Sequence, residues 1–594
     1  MRRPAIPSSV FNSYYTHIPV LVFLFVCCFL PLYPVAQNRY DVLITEFLPD
    51  PSPPVGLPES SFIELKNRSS RDYNLRNWKV SNGNSSATIK TDCLLKADSF
   101  LILCSPSSAA DYSQFGPTLG LSGFPSLNNE AGTIILSTDA GALMHALHYD
   151  KSWFDNELKA QGGWSLEMID LANPCTGQGN WTASNSVKGG TPGKKNSADA
   201  MNPDEQAPEL VRAIVTDSLN LILLFDEPLD SLTASSSFNY TISAPSNASV
   251  SDGGVSVENA LVFAPFFDRV AIRLQKHLTA GKIYSVSVQG IRDCSGNEIV
   301  FHNECKAGIP EKVKSGDIIF NEILFNPAPY GYDYLELYNR SDKIISCSGL
   351  FLAGRGMGGT LKDPVALVKE ERDFYPGEFL LLTENPGWVL NQYPMASPSQ
   401  MLSLSALPSL PDDLGKVVLL NASGEVMDEL DYDHHWHSPL LANESGVSLE
   451  RIRMDQPSSL ASNWTSAAAD AGFGTPGYKN SESSADTMGT HLISVEPKVF
   501  SPDLDGYHDF CFINYQLPAA GFMGSISIYN ISGRMVRKLV NNILWGTSGS
   551  FRWDGLDDEQ NLLPMGHYVI YVELFLLDGT LKKVKLVCVL ARRS

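Results

Sequence analysis

The chain lacks the short motifs by which many enzymes are identified. It contains no nucleophile elbow, phosphate-binding loop, H-E-x-x-H pair or kinase signature. None of its cysteines stands in a C-x-x-C pair, so a zinc site of the usual spacing is not expected. No segment has the periodicity of a long amphipathic helix, and only one run is apolar enough to be considered as a membrane span. These absences disfavour most catalytic classes and an α-helical fold.

Positive charge is scarce as well. The 594 residues include 44 lysines and arginines against 65 aspartates and glutamates, which gives a formal net charge of −21. Such a balance argues against nonspecific binding of nucleic acid or of anionic membranes, because both carry negative charge. The hydrophobic fraction of 43% is that of ordinary globular protein, and a chain of this length is expected to form several domains, each with its own core.

The amino terminus predicts export. Two arginines near the start precede an apolar run at residues 18–35, and Ala36-Gln37 offers a cleavage point. This order is typical of a secretory signal peptide, which we place at residues 1–36. A single uncleaved membrane anchor is the alternative, although the run is short and interrupted by prolines.

Export would permit disulfide bonds. Eight cysteines follow residue 36, and three pairs are candidates because of their spacing or their place in the last domain. The candidate pairs are Cys93 with Cys104, Cys294 with Cys305, and Cys511 with Cys588. Isolated buried thiols are an equally good interpretation.

Strand signals dominate the rest of the chain. Segments such as Leu219–Phe225 and Tyr568–Phe575 are short, rich in β-branched and aromatic residues, and bounded by Gly, Pro, Asn, Asp and Ser. We therefore predict an all-β protein of tandem immunoglobulin-like β-sandwich domains. Polar stretches predict linkers at residues 194–208, 307–315 and 480–490. The predicted domains are residues 38–197, 205–310, 313–481 and 490–594.

One segment of the chain occurs twice. Residues 132–182 match residues 415–465 without a gap, at an offset of 283 positions, and Ser-Leu-Glu is among the shared sequences. After one inserted residue, Gly190-Thr-Pro-Gly193 aligns with Gly474-Thr-Pro-Gly477. A shared pattern of this length indicates two copies of one domain, and tandem non-catalytic modules are the first explanation to consider.

Each copy opens with a strand that carries one glutamate, followed by Glu-Leu-x-Asn-Arg-Ser. The segments are Ile44-Thr-Glu46 with Glu64–Ser69, and Phe320-Asn-Glu322 with Glu336–Ser341. At these residues, and at the late Trp and Thr-Pro-Gly, both copies resemble the bacterial lamin tail domain, although the first has Thr45 in place of Asn. The resemblance implies an immunoglobulin-like sandwich that acts as a binding or scaffolding module, with an unknown surface protein or polysaccharide as its ligand.

Two pairs of glutamates are the shared acidic positions, Glu46 with Glu64 and Glu322 with Glu336. General acid–base catalysis needs two carboxylates across a cleft, and a sequence alone cannot show whether a cleft exists. The pairs could instead accept hydrogen bonds from loop amides, or bind a hard cation such as calcium together with neighbouring carboxylates. We favour the structural interpretation and keep the cation as the alternative.

The sequence Asp433-His434-His435-Trp436-His437 has the composition of a metal cluster. The aligned residues of the first copy are Asp150-Lys151-Ser152-Trp153-Phe154, which keep the aspartate and the tryptophan but no histidine. The histidines therefore lie on a loop whose fold does not need them, and we do not count them among the predicted sites.

The segments outside the two copies resemble other bacterial surface modules. Residues 205–310, through Phe225–Asp230 and Asp293–Asn297, resemble the Ig-like domain of surface-layer proteins and adhesins, whose role is spacing and presentation. Residues 490–594, through Ile526–Gly533, resemble the FlgD-like hook-capping Ig domain and the C-terminal sorting domains of type IX secretion cargo. The second resemblance implies contact with secretion machinery and an outer-membrane-associated location.

A short acidic loop in the last domain is the predicted metal site. Asp503, Asp505 and Asp509 flank Gly506, and carboxylate-rich loops with a turn glycine are how proteins place hard oxygens around calcium. The spacing is not that of an EF-hand, so an Asx-rich turn is the alternative.

The sequence as a whole predicts an exported, non-enzymatic cell-surface or secreted protein whose lamin-tail-like sandwiches bind or scaffold. The alternative is an accessory carbohydrate- or nucleic-acid-binding component of an extracellular degradative system. A cryptic hydrolase that uses the paired glutamates is the third hypothesis. Exposed Trp and Tyr side chains on a lamin-tail-like module would favour the second.

Overall fold

The computed structural model describes residues 39–244, 254–356, 358–368, 371–483 and 492–592. The predicted signal peptide at residues 1–36 lies outside them. The chain divides into two compact units, which meet in sequence between Ile309 and Pro310, and each is described by itself. Nearly all regular structure is β-strand, which confirms the predicted all-β fold of tandem immunoglobulin-like sandwiches. Within the described ranges, no helix is long and apolar enough to cross a membrane.

The first unit begins with a sandwich that we call the first large sandwich. Its elements are β1 (Val42–Phe47), β2 (Phe62–Asn67), β3 (Tyr73–Asn74), β4 (Lys79–Ser81), β5 (Ser86–Thr88), β6 (Leu94–Leu95), β7 (Phe100–Cys104), α1 (Ala109–Tyr112), β8 (Thr118–Gly120), β9 (Ala131–Ser137), β10 (Leu143–Asp150), β11 (Leu166–Met168) and β12 (Trp181–Ala183). One sheet has the order β12-β11-β1-β2-β7-β8, and the facing sheet has the order β10-β9-β4-β5. The core between them includes Ile44, Leu65 and Trp181.

β1 and β2 lie in the middle of the six-stranded sheet, and all of their residues are buried. One face of these strands meets the core, and residues that follow β12 cover the other. Strands covered on both faces normally carry near-continuous apolar residues. Glutamates at such positions need partners, and their partners define the candidate site.

The same unit continues with the first small sandwich. Its elements are β13 (Leu210–Asp217), β14 (Asn220–Phe225), α2 (Ser231–Ala234), β15 (Tyr240–Ser243), β16 (Val257–Val262), β17 (Arg269–Leu274), β18 (Tyr284–Val288) and β19 (Glu304–Ala307). The strand orders are β13-β14-β17-β16 and β15-β18-β19, and every pair is antiparallel.

The second unit begins with the second large sandwich. Its elements are β20 (Ile318–Leu324), β21 (Tyr334–Asn339), β22 (Ile345–Ser346), β23 (Leu350–Arg355), β24 (Leu361–Ala366), β25 (Asp373–Phe374), β26 (Phe379–Thr383), α3 (Pro386–Gln392), β27 (Met401–Ser403), β28 (Leu414–Asn421), β29 (Val426–Asp433), β30 (Leu449–Arg451) and β31 (Trp464–Ser466). Its sheets have the orders β31-β30-β20-β21-β26-β27 and β29-β28-β23-β24. Strand for strand, this is the arrangement of the first large sandwich, so the sequence duplication extends to the topology.

The second small sandwich completes the unit. Its strands are β32 (Leu492–Glu496), β33 (Val499–Phe500), β34 (Cys511–Gln516), β35 (Phe522–Asn530), β36 (Met535–Trp545), β37 (Ser548–Trp553), β38 (Gly566–Phe575) and β39 (Leu581–Leu590). The strand orders are β32-β34-β37 and β33-β39-β38-β35-β36. Short 3-10 helices lie in the loops of both units. They are Pro106–Ser108, Lys151–Phe154, Lys159–Gln161, Gln178–Asn180, Ser237–Asn239, Pro398–Gln400, His434–Trp436, Ala461–Asn463 and Ala469–Ala471.

Two predicted linkers begin later than expected, because their first residues are bound to the preceding sandwich. The side-chain amide of Asn196 donates hydrogen bonds to the carbonyl oxygens of Thr45 at 2.9 Å and Met168 at 2.8 Å. The amide of Asn480 bridges the corresponding strands of the second large sandwich, through the carbonyl oxygens of Asn321 at 3.1 Å and Arg451 at 2.8 Å. One amide thus joins two strands in each copy.

The disulfide pairing differs from the sequence-based expectation. Cys175 bonds to Cys294, 119 residues away, and links the first large sandwich to the first small sandwich. The predicted pairing of Cys294 with Cys305 is therefore wrong, because the turn that holds Cys294 faces the neighbouring sandwich and Cys305 packs against its own core.

The other two predicted pairs are free thiols in the structure. Cys93 packs against the inter-sheet core while Cys104 belongs to the apolar cluster on the opposite face of the six-stranded sheet, so these two cannot meet. Cys511 and Cys588 are both buried and lie next to each other, and their contact is the main cause that raises the pKa of the Cys588 thiol.

Candidate functional site: two buried glutamate triads

Three glutamates meet in the first large sandwich, on the face of the six-stranded sheet that is turned away from the core. Glu46 on β1 lies opposite Glu64 on β2 and, on its other side, opposite Glu167 on β11. A β-bulge between Ile44 and Glu46 shifts the register at this point. Bulges of this kind re-aim a side chain, and here the bulge brings Glu46 to the centre of the triad. All three side chains are 0% exposed.

The second large sandwich repeats the arrangement. Glu322 lies opposite Glu336 and Glu450, and the bulge falls between Phe320 and Glu322. The two predicted pairs are therefore brought together in the structure, and each gains a third member that sequence reasoning missed. The signal was present, because Ser-Leu-Glu occurs at residues 165–167 and again at residues 448–450.

The carboxyl groups accept hydrogen bonds from the segment that follows the last strand, which we call the trailing segment (residues 190–198 and 474–482). In the first sandwich, backbone N–H groups donate from Thr191 to Glu46 (2.7 Å), from Gly193 to Glu64 (2.5 Å) and from Ala198 to Glu167 (2.8 Å). In the second, they donate from Thr475 to Glu322 (2.9 Å), from Gly477 to Glu336, and from Glu482 to Glu450 (2.9 Å). Each triad is thus the attachment point of one trailing segment.

This geometry explains the repeated Thr-Pro-Gly. Threonine and glycine each supply one N–H to a glutamate, and the proline between them has none to satisfy. Gly193 and Gly477 have φ angles of 79° and 88°, in the left-handed region that favours glycine. At Gly193 a Cβ atom would also lie 2.4 Å from the carbonyl oxygen of Phe115, so a side chain is excluded there.

The hydroxyl of Thr475 lies between two acids of the second triad. Its Oγ1 atom lies 2.9 Å from Oε2 of Glu322 and 2.8 Å from Oε1 of Glu450. A hydroxyl has one proton to donate, so the contact is best satisfied when one of the two carboxyl groups is protonated and donates in turn. This geometry favours a neutral carboxylic acid at one of the two positions.

Burial raises the pKa values of the glutamates in both triads for which a shift is resolved, and this favours the protonated carboxylic acid. Desolvation raises the pKa of Glu64 from 4.5 to about 8 and that of Glu450 from 4.5 to about 8. The pKa of Glu46 is raised well above its ordinary value, first by desolvation and then by the charges of Glu64 and Glu167. Desolvation also raises the pKa of Glu322 and Glu336. The raised pKa values of these five glutamates favour their protonated, hydrogen-bonded form.

The arrangement joins segments of the fold and offers no access to a substrate. Catalytic carboxylates must come within hydrogen-bond reach of a reacting group, and none of the six side chains reaches the surface. Their oxygens are directed at Thr, Ser, Gly and Ala groups of their own sandwich. The geometry supports the structural interpretation of Glu46, Glu64, Glu322 and Glu336.

The predicted calcium loop is an ordered turn. Asp509 accepts hydrogen bonds from the N–H groups of Leu504 at 2.6 Å and Gly506 at 2.9 Å, and Asp505 accepts one from Tyr507 at 2.8 Å. One carboxylate oxygen from each of Asp503, Asp505 and Asp509 lies within 4.8 Å of the others. This spacing fits either an Asx-rich turn or a cation, so calcium stays a prediction.

Sequence reasoning also missed an acidic cluster in the first unit. Asp204, Glu227 and Asp293 place one oxygen each within 4.8 Å of one another. Burial, followed by the charges of Asp204 and Asp293, raises the pKa of Glu227 to about 8. The sequence does not group these three residues. Glu227 and Asp293 belong to two separate family motifs, and Asp204 lies in a predicted linker.

Similarity to solved structures is weak. The N-terminal part of the bacterial S-layer protein SbsC is 16% identical, with 31% of this chain and 41% of that chain covered and a TM-score of 0.16. PorZ, a surface component of the type-IX secretion system of Porphyromonas gingivalis, is 11% identical over 78% and 56% of the two chains, with a TM-score of 0.15. A DUF4876 family protein from Bacteroides thetaiotaomicron is 12% identical over 41% and 85%, with a TM-score of 0.17.

These scores carry no argument about a shared arrangement or function. The chain spans 41%, 54% and 55% of the first S-layer structures that it matches. No curated protein sequence matches the chain. A family model does match the strands that carry Glu46 and Glu64: residues 36–151 are a Lamin Tail Domain.

Proposed function

We propose that the protein is an exported, non-enzymatic scaffold of the cell surface, in which two lamin tail domains act as binding modules and two smaller sandwiches act as spacers. The observation that carries the proposal is the burial of all six glutamates of the two triads. These glutamates are the strongest candidates for catalysis in the sequence, and their carboxyl groups instead accept hydrogen bonds that attach the trailing segments.

The second large sandwich is included as a second lamin tail domain for three structural reasons. It has the strand order of the first large sandwich, the same bulge before the central glutamate, and the same attachment of Thr-Pro-Gly to a triad. Thr45 stands where the second sandwich has Asn321, and both side chains make the same contact. Thr45 donates a hydrogen bond to Glu64 at 2.8 Å, and Asn321 donates one to Glu336 at 2.7 Å.

Each large sandwich is also tied to the small sandwich that follows it, which suits a presenting scaffold. The first pair is joined by the disulfide between Cys175 and Cys294. In the second pair, the N–H of Thr547 donates to the carbonyl oxygen of Ser481 at 2.8 Å, and the N–H of Gly546 donates to Asp470 at 3.1 Å. These contacts fix each small sandwich against its neighbour instead of leaving it on a free tether.

Export and sorting are tested on native cells. We expect cell fractionation to place the protein at the surface, and mass spectrometry of its termini to show that residues 1–36 have been removed. Loss of residues 490–594 from the surface-bound product would support a sorting role for the second small sandwich. An intact chain in the cytoplasm would contradict the proposal.

A carbohydrate-binding function is the second candidate, because the second large sandwich exposes aromatic side chains. Tyr330 is 99% exposed and Tyr332 is 39% exposed, with its ring 6.3 Å from the half-buried ring of Trp388. Aromatic faces of this kind can stack on sugar rings. The corresponding loop of the first sandwich, between β1 and β2, contains no aromatic residue before Phe62.

This candidate is tested by affinity electrophoresis of the full chain in gels that contain a cell-surface polysaccharide. Retardation of the wild-type protein, and its loss in a Tyr330→Ala/Tyr332→Ala variant, would support carbohydrate binding. The exposed Phe238 lies in another sandwich, so Phe238→Ala is the matched control. Equal mobility of all three proteins would remove this candidate.

A further inference from the structure

The loop after β29 brings two imidazoles and two carboxyl groups together at the surface of the second large sandwich. One nitrogen of His434, one of His435 and one oxygen of Asp433 lie within 4.8 Å of one another. The two rings are 4.0 Å apart between centroids. Zn²⁺ with ligands at about 2.0–2.2 Å requires tetrahedral ligand separations of about 3.3 Å, which small rotations of these side chains can reach.

Each of the two imidazoles already has a carboxyl group at one nitrogen. Nδ1 of His435 lies 2.7 Å from Oδ1 of Asp433, and Nδ1 of His434 lies 3.2 Å from Oε2 of Glu444. A carboxylate at one imidazole nitrogen orients the ring and makes the other nitrogen a better ligand, as in the carboxylate–histidine–zinc arrangement, and this is the relation of Glu444 to His434. Asp433 belongs to the cluster itself, so its contact with Nδ1 of His435 places two candidate ligand atoms side by side.

A third imidazole supplies an independent observation. His437 is 4% exposed, and its Nδ1 atom is bound to the hydroxyl of Ser466 at 2.9 Å. Its other nitrogen, Nε2, is buried and has no hydrogen-bond partner among the described residues. The backbone N–H of His437 donates to the carbonyl oxygen of His434 at 3.0 Å, so this residue belongs to the same turn as the cluster. A buried imidazole nitrogen without a hydrogen-bond partner is costly, and a water molecule at the cluster would supply one.

The first large sandwich shows that the fold does not require these histidines. Asp150 caps its 3-10 helix by accepting from the N–H of Ser152 at 2.8 Å, as Asp433 accepts from the N–H of His435 at 2.9 Å. The residues after Asp150 are Lys151 and Ser152, neither of which offers an imidazole. The cap is common to both copies, and the metal-binding groups occur in the second alone.

We propose that His434 and His435, with Asp433, bind one Zn²⁺ ion at this loop, and that Glu444 acts as a positioning residue through His434. The class of ligand is a divalent first-row transition metal, because imidazole nitrogen suits zinc, copper and nickel better than calcium or magnesium. Three protein ligands leave a position open to water or to a ligand from outside the chain.

The test is a titration of the full chain with Zn²⁺, after metal has been removed with a chelator, in competition with a chromophoric zinc indicator. We expect one tight equivalent in the wild-type protein and its loss in His434→Gln/His435→Gln. Glu444→Gln should weaken the same equivalent about 10-fold, as is usual for a group that acts through a ligand. His567→Gln changes an exposed histidine in another sandwich and should leave the equivalent unchanged.

Thermal unfolding provides the second measurement, because zinc that binds the folded state must raise the melting temperature of the wild-type protein. The double variant should melt like the metal-free wild type and should not respond to zinc. A wild-type protein without a tight equivalent would overturn the proposal, and so would a double variant that keeps it.

Discussion

The raised pKa of Glu64 makes the first large sandwich less stable as pH rises. In the unfolded chain the carboxyl group of Glu64 ionises near pH 4.5, whereas burial in the folded domain raises its pKa to about 8. The stabilisation that the protonated Glu64 contributes is therefore fully present below pH 4.5 and is lost progressively as pH rises to about 8. Each retained proton contributes a slope of about 1.4 kcal/mol per pH unit, so Glu64 alone accounts for about 4 kcal/mol between pH 5 and pH 8.

The substitution Glu64→Gln isolates this contribution, because glutamine keeps the shape of the protonated acid but cannot ionise. We expect it to cost about 1–3 kcal/mol at pH 5, where its amide meets the N–H of Gly193. At pH 8 the cost should vanish or reverse, since the variant avoids the ionisation that weakens the wild type. Glu450→Gln tests the second triad in the same way, with a pKa for Glu450 of about 8.

Hydrogen exchange followed by mass spectrometry of the full chain resolves the two copies. Peptides from residues 42–67 report the opening free energy of the first domain, after correction for the intrinsic effect of pH on exchange. The substitution Glu157→Gln, at an exposed glutamate of the same sandwich, is the matched control for loss of one carboxyl group. The reasoning would be refuted if wild-type stability were constant or rising from pH 5 to pH 8, because the buried carboxyl groups would then be ionised, for example around a bound cation.

Three further changes test individual contacts. Thr475→Val removes a hydroxyl that lies within 2.9 Å of two acids and should cost about 1–3 kcal/mol in thermal unfolding, more than Thr191→Val, whose hydroxyl is 2.8 Å from Glu167 but 3.5 Å from Glu46. Cys175→Ser should lower stability by about 2–4 kcal/mol, and a nonreducing digest of the wild type should contain a peptide that joins Cys175 to Cys294. Gly132→Ala places a Cβ atom 2.5 Å from the hydroxyl of Tyr149 and should cost about 1–3 kcal/mol by calorimetry, whereas the Cβ atom of Gly387→Ala would come no closer than 3.5 Å to the side chain of Asn385.

The predicted fold class and the glutamate pairs came from short-range patterns. Alternating apolar residues identify strands, and a glutamate that recurs at the same place in two copies identifies a shared requirement. Glu46 and Glu64 lie on strands that follow each other in the chain and pair in the sheet, so their proximity could be expected from the sequence. Glu167 joins them only because β11 returns to the other side of β1, a contact across 121 positions that no local pattern encodes.

The predicted pairing of Cys294 was wrong, and the first residues of a predicted linker have a structural role, for the same physical reason. Sequence distance favoured Cys294 with Cys305, but a disulfide depends on the distance between two folded surfaces, and the fold brings Cys175 to Cys294. Residues 194–208 have the composition of a linker, yet the amide of Asn196 and the N–H of Ala198 complete the hydrogen bonding of buried strands. The composition of a segment shows that it can lie in a loop. It does not show that buried groups elsewhere depend on its hydrogen-bond donors.

The trailing segment also sets the order in which each large sandwich can be completed as the chain is made. The partners of Glu46 lie 119 and 145 residues further along the chain, at Ser165 and Thr191. Until those residues have been synthesised, the central acid lacks these two donors and the outer face of β1 lacks the cover of the trailing segment. Closure of this face therefore waits for residues near the carboxyl end of the sandwich.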